Sequence, residues 1–167
     1  GGTQWGAFQN CPKLKTVTFK KGALDAVIGG YTFKGCTSLE SISIPGNYTT
    51  IGEYAFNNCS NMRTMEWEQS SSSYANQIIG RNAFYGCTNL ASISLPTTLK
   101  SIECEAFVAC NALTNVVIPE GVTYIGYSAF RDCAMLTSVS LPSTLTEIRG
   151  GTQWGAFQNC PKLKTVT

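Results

Sequence analysis

Cysteine is the residue of this 167-residue chain most able to do chemistry: there are eight, with no histidine beside them. A thiolate can attack a substrate, ligate a metal or pair into a disulfide, and each use demands neighbours at a suitable spacing. No C-x-x-C pair occurs, and without His a zinc site would need four ligands converging from distant parts of the chain. Asp25 and Asp132 are the only aspartates, so no carboxylate pair can be nominated for acid–base work. Nucleophile-elbow, P-loop and dinucleotide fingerprints are missing from the sequence. The expectation is a chain without catalysis and without a cofactor. Asn47-Tyr48-Thr49 and Asn58-Cys59-Ser60 match the glycan-acceptor triplet, the second around a cysteine expected to be buried. Lys and Arg number 12 against 10 Asp and Glu, a net charge of +2 that points to neither nucleic acid nor a polybasic membrane patch. The apolar runs are too short to cross a bilayer.

What positions the cysteines is a repeat. Phe8, Phe33, Phe56, Phe84, Phe107, Phe130 and Phe157 are separated by 25, 23, 28, 23, 23 and 27 residues, a 23-residue unit with insertions. Three after each Phe stands Cys11, Cys36, Cys59, Cys87, Cys110, Cys133 or Cys160. Leu or Met follows six on, and an apolar residue at nine and eleven on; Pro often comes next, at Pro45, Pro96, Pro119 and Pro142. One unit of this size cannot bury its own apolar side chains, but stacked units place like above like and share a core. The units are called coils 1 to 7 after these Phe residues.

The Leu-x-x-Ile-x-Ile stretch alternates as a short strand does, and stacking would pair such strands into a parallel sheet. A Pro after the strand lacks an N–H and ends the ladder. Ala, Phe and Cys of Ala-Phe-x-x-Cys have helix-like spacing and predict a short helix or 3₁₀ turn on the opposite side. Seven cysteines are then expected as a ladder of buried, reduced thiols acting as small apolar groups. Cys104, outside the register, is expected near the surface. Met62, Met65 and Trp67 are expected to widen the core of coil 3. Extra residues at 68–77 and around Gly150 to Gln153 are expected to form loops that spare the core.

The outward strand positions form a hydroxyl-rich strip: Thr16, Thr18, Ser41, Ser43, Thr64, Glu66, Ser92, Ser94, Asn115, Val117, Ser138 and Ser140. It is read either as solvated surface or as a contact face for another protein, a glycan or a second copy of the chain. Clustered Trp, Tyr or Arg anchors would mark a dedicated site; the sequence alone does not bring Tyr48, Tyr74, Tyr124, Tyr127 and Trp154 onto one patch.

The run Leu113, Val116, Ile118, Pro119, Val122, Ile125, Gly126, Ala129, Phe130, Cys133 carries the pattern Leu-x-x-Ile-x-Ile-Pro-x-x-Val-x-x-Ile-Gly-x-x-Ala-Phe-x-x-Cys. It resembles the BspA-like class of leucine-rich repeats, over essentially the whole chain. The resemblance implies a right-handed α/β solenoid with a parallel sheet on its concave face and short helices or 3₁₀ turns on the convex one. It also implies a secreted or cell-surface protein, often an adhesin.

Residues 1–18 are identical to residues 150–167, an offset of 149. Surface positions differ between the other coils, so the identity is not ordinary repeat drift. Either a longer protein repeats a 149-residue block or the chain carries overlapping ends. The chain starts in mid-coil and stops within a strand, with no polar cap, which suggests an excerpt of a longer array. The expectation is one solenoid domain over residues 1–167, six repeats plus a partial seventh. Its function is expected to be structural or adhesive, in an array or filament. The alternative is an ectodomain that recognises a host or matrix protein or glycan.

Overall fold

A computed structural model describes residues 6–20, 22, 25–69, 76–150 and 154–167. Within them the order of elements is β1 (Ala26–Ile28), β2 (Ser41–Ile44), β3 (Tyr48–Ile51), β4 (Thr64–Trp67), β5 (Gln77–Ile79), β6 (Ser92–Ser94), β7 (Leu99–Ile102), β8 (Asn115–Val117), β9 (Tyr124–Ile125), β10 (Ser138–Ser140), β11 (Glu147–Ile148) and β12 (Thr165–Val166). Full coils contribute two strands each. The expected strands form two parallel sheets of three, β2-β4-β6 and β8-β10-β12, rather than one continuous sheet. A third, six-stranded parallel sheet, β1-β3-β5-β7-β9-β11, runs unbroken along the stack.

Register follows the apolar pattern. Ile42 pairs with Met65 and Ile44 with Trp67, all facing inward, while Ser41, Ser43, Thr64 and Glu66 face out. Proline does more than end a ladder. The carbonyls of Pro45, Pro96, Pro119 and Pro142 each accept the N–H three residues on, at 3.0–3.3 Å. That turn carries the chain from the first strand of a coil to the second. Gln77, fully buried, stands in register with Leu99 and donates its amide to the carbonyls of Gly46 and Tyr48 at 3.3 and 2.8 Å.

No helix of any kind occurs among the described residues, so the expected helix or 3₁₀ turn is not formed. The Ala-Phe-x-x-Cys segment is a row of turns. In coil 5 the N–H groups of Glu105, Phe107 and Ala109 reach the next coil's Tyr127, Ala129 and Arg131 carbonyls at 2.7–2.9 Å. Those of Ala106, Val108 and Cys110 turn back three residues. Left-handed backbone at Glu105 (φ 60°) and Ala109 (φ 58°) produces the alternation. A helix would send every N–H along its own axis and needs a width of about 10 Å. The coils leave no such room: successive Phe rings lie 5.1–5.3 Å apart. Since strands in a sheet are about 4.8 Å apart, the stack fans little.

Phe33, Phe56, Phe84, Phe107 and Phe130 are buried, with rings stacked within 10° of parallel. Met62, Met65 and Trp67 are buried too, yet the ring spacing across coil 3 stays at 5.3 and 5.2 Å, so these larger residues do not stretch the stack along its axis. Six residues of the 68–77 insertion and three of the one near Gly150 lie outside the described residues, as do Trp5 and Tyr74.

Candidate functional site

The hydroxyl strip is present but interrupted between β6 and β8. Its first half, Ser41, Ser43, Thr64, Glu66, Ser92 and Ser94, is exposed and lines a shallow groove of about 390 Å³ floored by Ile42, Met65 and Ile93. The second half is held together internally. Asn115 Oδ1 accepts from Ser138 Oγ at 2.6 Å and from Thr137 Oγ1 at 3.1 Å. Val117 is 71% exposed beside half-buried Ser138 and Ser140. Thr16 and Thr18 are exposed but belong to no strand, so coil 1 does not extend the sheet. The short side chains give the strip polarity and little relief.

A second cluster lies at another corner of the coils, and here the fold gathers aromatic and Arg side chains. Arg81, Cys104, Glu105, Tyr127, Ser128, Arg131 and Trp154 line a pocket of about 400 Å³. Arg81 Nε and Nη2 and Asn82 Nδ2 all donate to Glu105 Oε2, at 3.2–3.3 Å. The Arg131 guanidinium pairs with Asp132 at 3.1 Å and lies 5.3 Å over the Trp154 ring. Arg149 donates to Glu147 and to the Tyr127 hydroxyl, and covers the rings of Tyr124 and Tyr127 at 5.7 and 5.3 Å. Desolvation, then the neighbouring Cys104, pushes the Tyr124 phenol up to about 12. Tyr124, Tyr127 and Trp154 thus share a patch that chain order conceals, because each comes from a different element. The readable signal was the slot three before Phe, which holds Arg81, Cys104, Tyr127 and Trp154 in successive coils.

The cysteine ladder has a polar task as well as an apolar one. Each thiol donates to the Phe carbonyl of the coil before: Cys36 to Phe8, Cys59 to Phe33, Cys87 to Phe56, Cys110 to Phe84, Cys133 to Phe107 and Cys160 to Phe130, at 3.1–3.4 Å. In Cys36, Cys59, Cys87 and Cys110 the sulfurs therefore aim at oxygen rather than at one another, while Cys133 and Cys160 also interact with each other. Burial pushes the Cys59 and Cys110 thiols up, and Cys87 to about 12. Cys11 and Cys160, in the end coils, are half-buried, against the expectation that all seven are enclosed. Cys104 is also half-buried, its Sγ 3.9 Å from the Tyr124 hydroxyl. Because the thiolate is the reactive form and access decides whether it reacts, labelling of the native chain should modify the half-buried Cys11, Cys104 and Cys160 first, with Cys87 and Cys110 reacting only after unfolding. Equal labelling of Cys87 and Cys104, or coil-to-coil disulfides by mass spectrometry, would contradict this. Among the described residues, no three Cys, Asp or Glu side chains gather as metal ligands.

The duplicated 18-residue segment meets different neighbours at its two positions. In coil 1 Phe8 stacks on Phe33 at 5.3 Å, and the N–H groups of Phe8 and Asn10 donate to Thr32 and Lys34. In coil 7 the opposite face is used. Phe157 stacks on Phe130 at 5.3 Å, while Ala156 and Gln158 accept the N–H groups of Phe130 and Asp132. One sequence thus has a fitted partner above it and another below.

Comparison with known proteins agrees with this geometry. The chain is similar over 84% of its length, at 31% identity and a TM-score of 0.70, to the leucine-rich repeat protein of T. pallidum, of which it covers 62%. It is 41% identical over 90% of its length to a leucine-rich repeat protein from Bacteroides ovatus, with a TM-score of 0.72 and 37% of that chain covered. The pneumococcal vaccine antigen PcpA shares the fold at 22% identity and a TM-score of 0.64, over 80% of this chain and 31% of that one. The chain therefore spans less than two thirds of each of these relatives. No curated protein matches it. The family model for the BspA type leucine-rich repeat region matches in six copies, over residues 4–78 and 71–167, and the chain belongs to that family.

Proposed function

We propose that this chain is a stretch of a long, non-catalytic repeat array, secreted or displayed at a cell surface, whose role is structural and adhesive. The observation that carries the reading is the duplicated segment, fitted to coil 2 on one face and to coil 6 on the other. A block of 149 residues can on that pattern follow another with each junction already solved, and without a free sheet edge between them. A residue composition without His and with two Asp favours a role without catalysis. Six coils at about 4.8 Å per step advance the array by about 29 Å per block.

Electron microscopy of the native material tests this. Rods far longer than one block are expected, with a repeat near 29 Å in their diffraction or averaged images. Short monomeric particles, from a gene encoding one block between polar caps, would overturn it. That outcome would favour the second reading, an ectodomain that grips a host or matrix protein or glycan on the groove over β2, β4 and β6, where the strip is exposed.

A further inference from the structure

The corner pocket is a place that the same molecule fills with aromatic rings farther down the stack. The position two before each Phe reads Tyr31, Tyr54, Asn82, Glu105, Ser128 and Gly155 from coil 2 to coil 7. In coils 2 and 3 the two Tyr rings stack at 4.9 Å, with 20° between their planes. The Lys34 ammonium, one residue after Phe33, caps them at 5.3 and 5.2 Å. Cation over ring is an attractive arrangement in its own right. By coils 6 and 7 the column has shrunk to Ser128 and Gly155. A Cβ added at Gly155 would meet nothing nearer than the Gln158 Cβ at 3.9 Å. Arg131 occupies the slot of Lys34, one after Phe130, but the column beneath it carries no rings. The guanidinium lies over Trp154 instead, and Ser128, Arg131 and Trp154 all line the pocket of about 400 Å³.

We propose that this pocket receives a tyrosine side chain of a partner polypeptide, which takes the place that Tyr54 takes in coil 3, with Arg131 as its cationic cap. Trp154 and Tyr127, 52% and 40% exposed, supply aromatic walls, and Trp, Tyr and Arg are the residues that anchor protein interfaces. Polar matching favours Tyr over Phe. Among the described residues the three hydrogen bonds to Glu105 all reach Oε2, and Oε1 can accept a phenol O–H. A free anion is a poorer fit: Arg81 and Arg131, the lining cations, already face Glu105 and Asp132. The assignment is independent of whether the chain forms an array.

The test uses the 167-residue chain and the tripeptide Ac-Ser-Tyr-Ser-NH₂, followed by NMR on the Trp154 indole N–H, identified by its loss in W154F. A saturable shift is expected with this peptide and none with Ac-Ser-Ser-Ser-NH₂. Substituting Ser128→Tyr should fill the pocket from within. Tyr31 and Tyr54 already adopt the backbone that position needs, at φ 61° and 56° against 52° for Ser128. Ser128 is itself 1% exposed, so its replacement must enter the pocket; S128Y, with an intact fold checked by its melting transition, should weaken peptide binding at least about tenfold. In the unsubstituted chain the Tyr peptide should also slow labelling of Cys104, which lines the pocket. No saturable shift, an equal shift with the all-Ser peptide, or unchanged Cys104 labelling would overturn the proposal. A response to chitotriose in place of the Tyr peptide would reassign the pocket to glycan and overturn it equally.

Discussion

Replacing Phe130 by Ala is expected to destabilise the chain by about 3–5 kcal/mol, the usual range for removing a buried aromatic ring. Phe130 is fully buried, stacked on Phe107 at 5.1 Å and on Phe157 at 5.3 Å. The loss should sit high in that range because the site cannot collapse. Coil spacing here is fixed by hydrogen bonds between coils, Phe107 N–H to the Ala129 carbonyl and Phe130 N–H to that of Ala156, both 2.7 Å. Neighbouring rings cannot slide into the gap without breaking this ladder, so the cavity stays open. In a stack where each coil touches only its neighbours, the defect loosens coil 6 from both coil 5 and coil 7. Phe8, in the same column but 49% exposed, provides the control: Phe8→Ala should cost about 1 kcal/mol or less. Denaturant titration measures both. A cost below about 1 kcal/mol for Phe130→Ala would mean that the column is not what holds the coils together.

The column was legible from the sequence because stacking forces one residue type into one slot, again and again. Phe, Cys, Leu and the strand Ile residues all recur for that reason, and the register of β2, β4 and β6 follows from them. The six-stranded sheet was not legible, although it is the continuous one. Its strands include Tyr48–Ile51 and Leu99–Ile102, with sequences YTTI and LKSI, where little but the last Ile repeats. Most of its order comes from backbone hydrogen bonds, which leave no mark on side-chain choice. The expected helix failed for a different reason. Ala-Phe-x-x-Cys has helical spacing, but the residue before each Cys is Asn10, Gly35, Asn58, Gly86, Ala109, Asp132 or Asn159, all with positive φ. Gly, Asn and Asp are the types that tolerate left-handed backbone, so that slot carried the warning. The strip was placed by simple alternation. The corner pocket depends on residues that differ from coil to coil, and periodicity is blind to a site made by breaking the pattern.

Coil 3 breaks the pattern inside the core, and Trp67 is where the consequence should be largest. Ile44 and Leu95 hold the same place in the adjoining coils, and the indole is completely buried between them. Trp67→Ala should cost about 3–5 kcal/mol. Size is not the whole account, because the Trp67 Nε1–H has no hydrogen-bond acceptor among the described residues. A buried donor left unmatched costs about 1–3 kcal/mol. Trp67→Phe removes that donor while keeping an aromatic ring in the space. The loss of apolar contact and the relief of the unmatched N–H then oppose each other at similar size. The Phe variant should consequently lie within about 1 kcal/mol of the unsubstituted chain, far from the Ala variant. Paired denaturant titrations decide the matter. Equal losses for the two substitutions would show that the indole nitrogen is satisfied in solution and that Trp67 is held by more than its shape.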